Sequence, residues 1–185
     1  MPTFYHITTA SVYDAKAMPE IPHETGAFYV FDRGYSNFRE LFRIQRMESF
    51  FVVRAKTNLQ YKGVRWKRLM PKSILTDAVI ELTIYKSRKD YPKYMRLVRY
   101  YDEEQSRKFM FLTNAMDLTT RQIADLYKNR WQIELFFKWL KQHLKIKKFW
   151  DTTKNTVRIQ TSAAITAYSL VSIVRCDMQL KRPDL

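Results

Sequence analysis

Two acidic residues in this chain, Asp32 and Glu134, stand where a carboxylate could do chemistry. Asp32 ends the apolar run Ala27 to Phe31, where a side chain leaves the C-terminal edge of a strand. In open α/β folds ligands bind at that edge. Nearby Gly34 would let a phosphate backbone approach without a Cβ in the way. Glu134 lies in the run YKNRWQIELFFKWLKQHLKIK. Read as one helix at about 100° per residue, Arg130, Glu134 and Lys141 fall within about 60° of Tyr127, in one stripe. Leu126, Ile133, Phe137, Leu140 and Leu144 fall beside that stripe, about 80–140° from Tyr127, so the glutamate is expected next to the buried face. Lys138, Lys145 and Lys148 extend the positive charge. Two carboxylates so placed could hold hard divalent cations, which take oxygen ligands. A blander reading stays open: an Asp at a strand end forms turns. Glu134 with Lys138 is also an ordinary pair on a solvated helix face, worth about 0.2–0.5 kcal/mol.

The elements that must position these residues alternate along the chain. Thr3 to Thr9 reads as a strand, Asp14 to Met18 as a short helix and Ala27 to Phe31 as a buried strand. Asn37 to Met47 carries Phe38, Leu41, Phe42 and Ile44 at helical spacing, and Phe50 to Val53 is another buried strand. From Lys56 to about Thr113 the character changes. Val79 to Tyr85, Tyr94 to Tyr101 and Lys108 to Leu112 read as an antiparallel meander, joined by charged turns at Lys86 to Asp90 and Asp102 to Arg107. Thr119 and Gln122 have capping-box spacing, so a helix should start there and run to about Lys147, some 40 Å. A last helix is expected from about Thr156 to Met178, with small residues for close packing.

Composition narrows the partners. The 185 residues carry a net charge of +15 and are 46% hydrophobic, enough for a sizeable core. The basic residues spread along the whole chain, a field that attracts nucleic acid first and an anionic membrane second. A basic surface that serves only solubility is the plain alternative. The single cysteine, Cys176, excludes an internal disulfide framework and a CxxC zinc site. His6, His23 and His143 have no metal-site spacing, and three glycines leave no phosphate-cradling loop. The N-terminus lacks a secretion signal. The apolar run Ser162 to Val174 falls short of the roughly 20 residues of a membrane span, so a cytoplasmic protein is expected.

The residues above also carry a family resemblance. Tyr127, Arg130, Glu134 and Lys141, spaced Y-x2-R-x3-E-x6-K, resemble the signature of the IS4-family insertion-sequence transposases, which are DDE transposases. FYVFDRGYSNFRELF resembles the region of the second catalytic Asp, and FLTNAMDLTTRQIADLY the approach to the signature helix. The resemblance implies an RNase H-like α/β fold with an antiparallel insertion between second Asp and Glu. That organisation is a partial core over 1–55, an inserted β region over 56–115 and two long C-terminal helices over 116–185. It implies Asp32 and Glu134 as two of three catalytic carboxylates binding paired Mg²⁺ or Mn²⁺ ions. Arg130 would clamp a phosphate, Lys141 would act as a point charge on the backbone, and Tyr127 would support a phosphate or base. Lys138 and Lys145 would add to the DNA surface. Trp66, in the setting RWKR, is the favoured platform for an extruded base, ahead of Tyr85, Tyr94 and Trp131; packing in a core or sheet is the alternative for all four.

The expected partner is double-stranded DNA, as transposon ends and target, with a homo-oligomer as a further expectation, no membrane, and a site of action at the bacterial nucleoid. The family's first catalytic Asp lies upstream of everything that resembles Met1 onward, and Asp14 follows the strand that should be third. The expectation is therefore an N-terminally truncated domain with an incomplete two-metal site, inactive on its own. Its strand edges at Thr3 to Thr9 and Ala27 to Phe31 should be open. The competing functions are a non-catalytic DNA-binding remnant or regulator of transposition, and a related RNase H-like nuclease.

Overall fold

Runs of aromatic and β-branched residues become the strands of one sheet in the computed structural model, which describes residues 14–67, 73–103, 106–143 and 153–178. In chain order the elements are α1 (Asp14–Ala17), β1 (Phe28–Phe31), α2 (Phe38–Arg46), β2 (Phe50–Arg54), β3 (Tyr61–Trp66) and β4 (Ile74–Leu82). They continue with α3 (Tyr85–Asp90), β5 (Met95–Asp102), β6 (Arg107–Thr113), α4 (Thr120–Asn129), α5 (Trp131–His143) and α6 (Lys154–Asp177). Ala10–Arg130 forms one compact unit, and Trp131–Leu185 belongs to another. The architecture is mixed α/β, with a six-stranded sheet in the order β1-β2-β6-β5-β4-β3.

Strands β1 and β2 are parallel, joined through α2 as a right-sized crossover, and all other pairs are antiparallel. Strand β6 pairs with β2 through Val52↔Thr113 and Val53↔Leu112. The antiparallel region therefore extends the sheet of β1 and β2 instead of standing apart from it. Among the described residues β1 pairs only with β2; the strand expected at Thr3 to Thr9 lies outside the described residues.

Both faces of the sheet are covered, which is why β2 reads as a continuous apolar run. On one face Phe51, Val53, Ala78, Ile80, Leu97 and Leu112 pack with Leu41 and Ile44 of α2. On the other, Val52, Val98 and Phe111 pack with Ile123, Ala124 and Tyr127 of α4. Helix α2 is capped by the Asn37 side chain, which accepts from the Glu40 N–H at 3.4 Å.

Several sequence expectations are corrected. Strand β4 starts at Ile74 and ends at Leu82, and the charged turn expected at Lys86 to Asp90 is the short helix α3. Its last turn is tied back to β4 by the Arg88–Glu81 ion pair at 2.7 Å. Strand β3 has no counterpart in the sequence reading, because YKGVRW is an edge strand with a bulge and shows no clean alternation.

The helix expected from Thr119 to Lys147 is instead two, so the C-terminal region holds three helices among the described residues and not two. The Thr119–Gln122 capping box is present. The break comes at Arg130, whose N–H turns to the Tyr127 carbonyl three residues back, at 3.1 Å. The single wheel drawn through Tyr127 and Lys141 thus spans two helices, α4 and α5. Leu140 is buried, but Ile133 and Phe137 are half exposed at 51% and 52%, against expectation. The reason is that α5 meets α6 through Phe136 and Trp139, whose rings lie 4.7 and 5.0 Å from Tyr168.

Helix α6 spans Lys154–Asp177, close to the helix expected from about Thr156 to Met178. Its segment Asn155–Asp177, of 23 residues and mean hydropathy 1.2, is long and apolar enough by length and composition to cross a bilayer. The sequence reading weighed only the run Ser162 to Val174 against the length of a span, and the helix extends beyond that run at both ends.

Candidate functional site

The parallel pairing of β1 with β2 explains how this site is assembled. Phe31 pairs with Val53, so the next residues, Asp32 and Arg54, emerge side by side at the C-terminal ends of the two strands. Asp32 has extended backbone angles (φ −78°, ψ 171°), and its carbonyl accepts from the Tyr35 N–H at 3.0 Å, which closes a tight turn over Arg33–Tyr35. The turn leaves the carboxylate half-buried at the sheet edge.

Helix α4 supplies the other wall. Tyr127 is 7% exposed, its ring set against Phe111 at 4.6 Å and Phe109 at 6.0 Å. Its hydroxyl donates to Asp32 Oδ1 at 3.1 Å. The Arg130 guanidinium lies over the Tyr127 ring, 5.3 Å from its centre. The Arg54 and Arg107 guanidiniums lie 5.2 and 5.7 Å from the centre of the Phe109 ring. Such cation–π contacts hold a guanidinium in place without neutralising it.

The electrostatics follow from this packing. Burial pushes the Asp32 carboxyl up, but the Arg33 N–H, the Tyr127 hydroxyl and the charges of Arg130 and Arg54 outweigh burial and hold it below the usual carboxylate range. Burial and the Asp32 charge push the Tyr127 phenol up, so it remains a donor at neutral pH. The result is an ionised carboxylate among fixed cations. That combination suits a ligand that brings both phosphate and a hard cation. Among the described residues no three His, Cys, Asp or Glu side chains gather into a group that could hold a metal ion.

Asp32, Tyr127 and Arg130 are therefore brought together. Glu134 and Lys138 are exposed on α5, in the other unit, and Lys141 is also on α5. Lys145 lies outside the described residues. Trp66 is at the opposite end of the sheet, on β3, five strand spacings or about 24 Å from β1. Arg54, Phe109 and Arg107 were missed by the sequence reading. The available signal was that Arg54 closes FFVVR as Asp32 follows FYVF, so two parallel strands bring the two residues to one edge.

None of the four aromatic candidates is buried in a core: Trp66, Tyr85, Tyr94 and Trp131 are 56%, 82%, 53% and 54% exposed. Trp66 is nevertheless held. The register of β3 shifts between Gly63 and Arg65, which returns Trp66 to the face of Gly63. A Cβ on Gly63 would lie 2.5 Å from Trp66 Cζ2, so the indole rests on bare backbone. Gly63→Ala is expected to push the indole into water. Acrylamide quenching of Trp66, isolated by comparison with Trp66→Phe, should rise while stability stays within about 0.5 kcal/mol.

Comparisons with known proteins identify the family. The family model described as Transposase DDE domain matches residues 1–170. Three curated relatives carrying transposase names also align. The protein y4zB of Sinorhizobium fredii is 38% identical over 178 residues, 93% of this chain and 49% of its own length. The protein named for insertion sequence element IS5377 of Geobacillus stearothermophilus is 33% identical over 143 residues, 76% of this chain and 37% of its own length. The one named for insertion sequence element IS4SA of Synechocystis is 27% identical over 166 residues, 88% of this chain and 45% of its own length. The chain thus spans less than half the length of each. With most of its residues matched by the family model and a sheet edge built around Asp32, the chain belongs to the transposase DDE domain family.

Proposed function

We propose that the chain is part of an RNase H-like catalytic domain that binds double-stranded DNA and serves metal-dependent phosphodiester cleavage and strand transfer in transposition. The observation that carries the reading is the ionised Asp32 at the C-terminal edge of a parallel strand pair, held by Tyr127 and flanked by Arg54 and Arg130. Within that domain, residues 1–55 contribute to the core sheet, 56–115 are an insertion and 116–185 are the closing helices. Site of action is the bacterial nucleoid, with transposon ends and target as the DNA and a homo-oligomer as the working form.

Asp32 and Glu134 would hold the divalent cations, Mg²⁺ or Mn²⁺, whose preference for carboxylate oxygen fits both side chains. When bound, such ions activate the attacking oxygen and stabilise the leaving one. The chain's own side chains handle the substrate. Arg130 offers a fork of donors to a phosphate, and Lys138, Lys141 and Lys145 supply point charges along the backbone. Trp66 offers an exposed ring face to an unstacked base.

Glu134→Gln tests the reading. With a transposon-end duplex and Mn²⁺, a protein carrying the whole domain should lose cleavage and strand transfer while duplex affinity stays within about twofold. Unchanged products would mean that Glu134 is not a catalytic carboxylate. No products from the parent protein, with intact duplex binding, would favour a non-catalytic DNA-binding regulator, and cleavage without preference for transposon ends a general nuclease.

A further inference from the structure

The residues of the Y-x2-R-x3-E-x6-K run differ in what they can reach. Arg130 is half-buried, and Glu134 is exposed. Tyr127 is 7% exposed, with its ring against Phe109 and Phe111 and its hydroxyl 3.1 Å from Asp32 Oδ1. A phenol placed in this way has little surface for DNA and one evident polar partner. We infer that Tyr127 is a positioning residue for the Asp32 carboxylate, fixing its orientation for a divalent cation, and not a direct contact to DNA. This rests on the reading of Asp32 as a cation ligand.

The mounting of α4 explains why the hydroxyl can act as a fixed point. Arg96, 2% exposed on β5, donates through Nε and Nη2 to the two oxygens of Asp77 on β4, at 2.8 and 2.7 Å. Its Nη1 donates to the carbonyls of Ala115 and Met116, both at 3.3 Å, and of Leu118. The Thr120 hydroxyl, in the first turn of α4, donates to Asp77 Oδ2 at 2.9 Å. The start of α4 is thereby locked to β4 and β5, and Tyr127 follows two helical turns later, about 10.5 Å along the axis. A carboxylate oxygen pair offers about four lone-pair sites. The Tyr127 hydroxyl and the Arg33 N–H occupy part of that capacity and leave the rest for a cation. Hydrogen bonds of this kind to a metal-binding carboxylate set its direction, and their removal lowers metal affinity about 10–100-fold.

Tyr127→Phe keeps the ring and removes only the hydroxyl, so the chain should still fold. Three measurements on the full chain decide the matter. The side-chain carbonyl ¹³C resonance of Asp32, assigned with Asp32→Asn, should shift or broaden in the variant; an unchanged signal would overturn the inference. Affinity for a DNA duplex without metal should stay within twofold, whereas a tenfold loss would make Tyr127 a DNA contact and overturn it. Mn²⁺ affinity, read by paramagnetic resonance, should fall about tenfold. Unaltered Mn²⁺ binding would overturn the inference. Absence of Mn²⁺ binding in the parent chain, with a responding Asp32 signal, would remove the cation reading and leave the positioning of Asp32 by Tyr127 supported.

Discussion

Arg96→Met is expected to destabilise the Ala10–Arg130 unit by about 3–5 kcal/mol, because it removes the two-pronged partner of the buried Asp77 carboxylate and leaves it only Thr120 and the largely exposed Lys67. Both side chains are 2% exposed, so water cannot replace the lost contact. The loss also takes the donor away from the carbonyls of Ala115, Met116 and Leu118 in the loop before α4. For a chain of this size the midpoint of thermal unfolding should drop by about 6–20 °C. A fall under about 2 °C would show that the pair is hydrated in solution. Replacing Asp77 and Arg96 together by apolar residues should recover part of the loss, since a buried pair and an apolar pair are often near neutral. The three carbonyls would still lack their donor, so recovery should be incomplete.

The same pair gives stability a pH dependence. Burial pushes the Asp77 carboxyl up, but the hydrogen bonds from Arg96 and Thr120 and the charges of Arg96 and Lys67 outweigh it, and the carboxyl is held below the usual range. A folded-state value below the unfolded one means that the stabilisation is fully present above about pH 4. It is lost as pH falls through the folded value. Acid unfolding followed by circular dichroism should therefore steepen below about pH 4, and less so in the double replacement.

The largest effect of all should be that of salt on DNA binding. Under the proposed DNA-binding function, a net charge of +15 spread along the chain would make phosphate neutralisation the main source of affinity. If about six to ten phosphates are neutralised, duplex affinity should fall roughly 10³–10⁵-fold between 50 and 200 mM salt. Fluorescence anisotropy over a salt series reads the slope directly. Under the proposed role of Arg130 as a phosphate clamp, Arg130→Gln should reduce that slope by about one. A slope near zero would mean that the charge serves solubility alone. A slope that stays steep in Arg130→Gln would place the contacts elsewhere, on Arg54 or the lysines of α5.

Much of the fold was legible along the chain because its signals are local. Asn37 caps α2, Thr119 and Gln122 cap α4, and the apolar runs around Val30 and Val52 become strands. Strand β3 and helix α3 were not legible. One is an edge strand whose bulge breaks the period of two, and the other is a charged turn whose helix is completed by an ion pair to β4. The break at Arg130 was equally hidden, since no proline or glycine marks it.

For the candidate site the division is sharper. Residue types and spacing were enough to single out Asp32, Arg130 and Glu134, since carboxylates and guanidiniums beside apolar runs are visible as chemistry before any fold is known. Proximity between residues far apart in sequence was not visible. Asp32 meets Tyr127 across 95 positions, and Arg54 reaches the same edge only because β1 and β2 run parallel. Nothing in the sequence around Arg96 sets it apart from the other basic residues. Its burial, and with it the seating of α4, depends on Asp77 lying beside it on the neighbouring strand, a pairing set by sheet register and not by anything local to either residue.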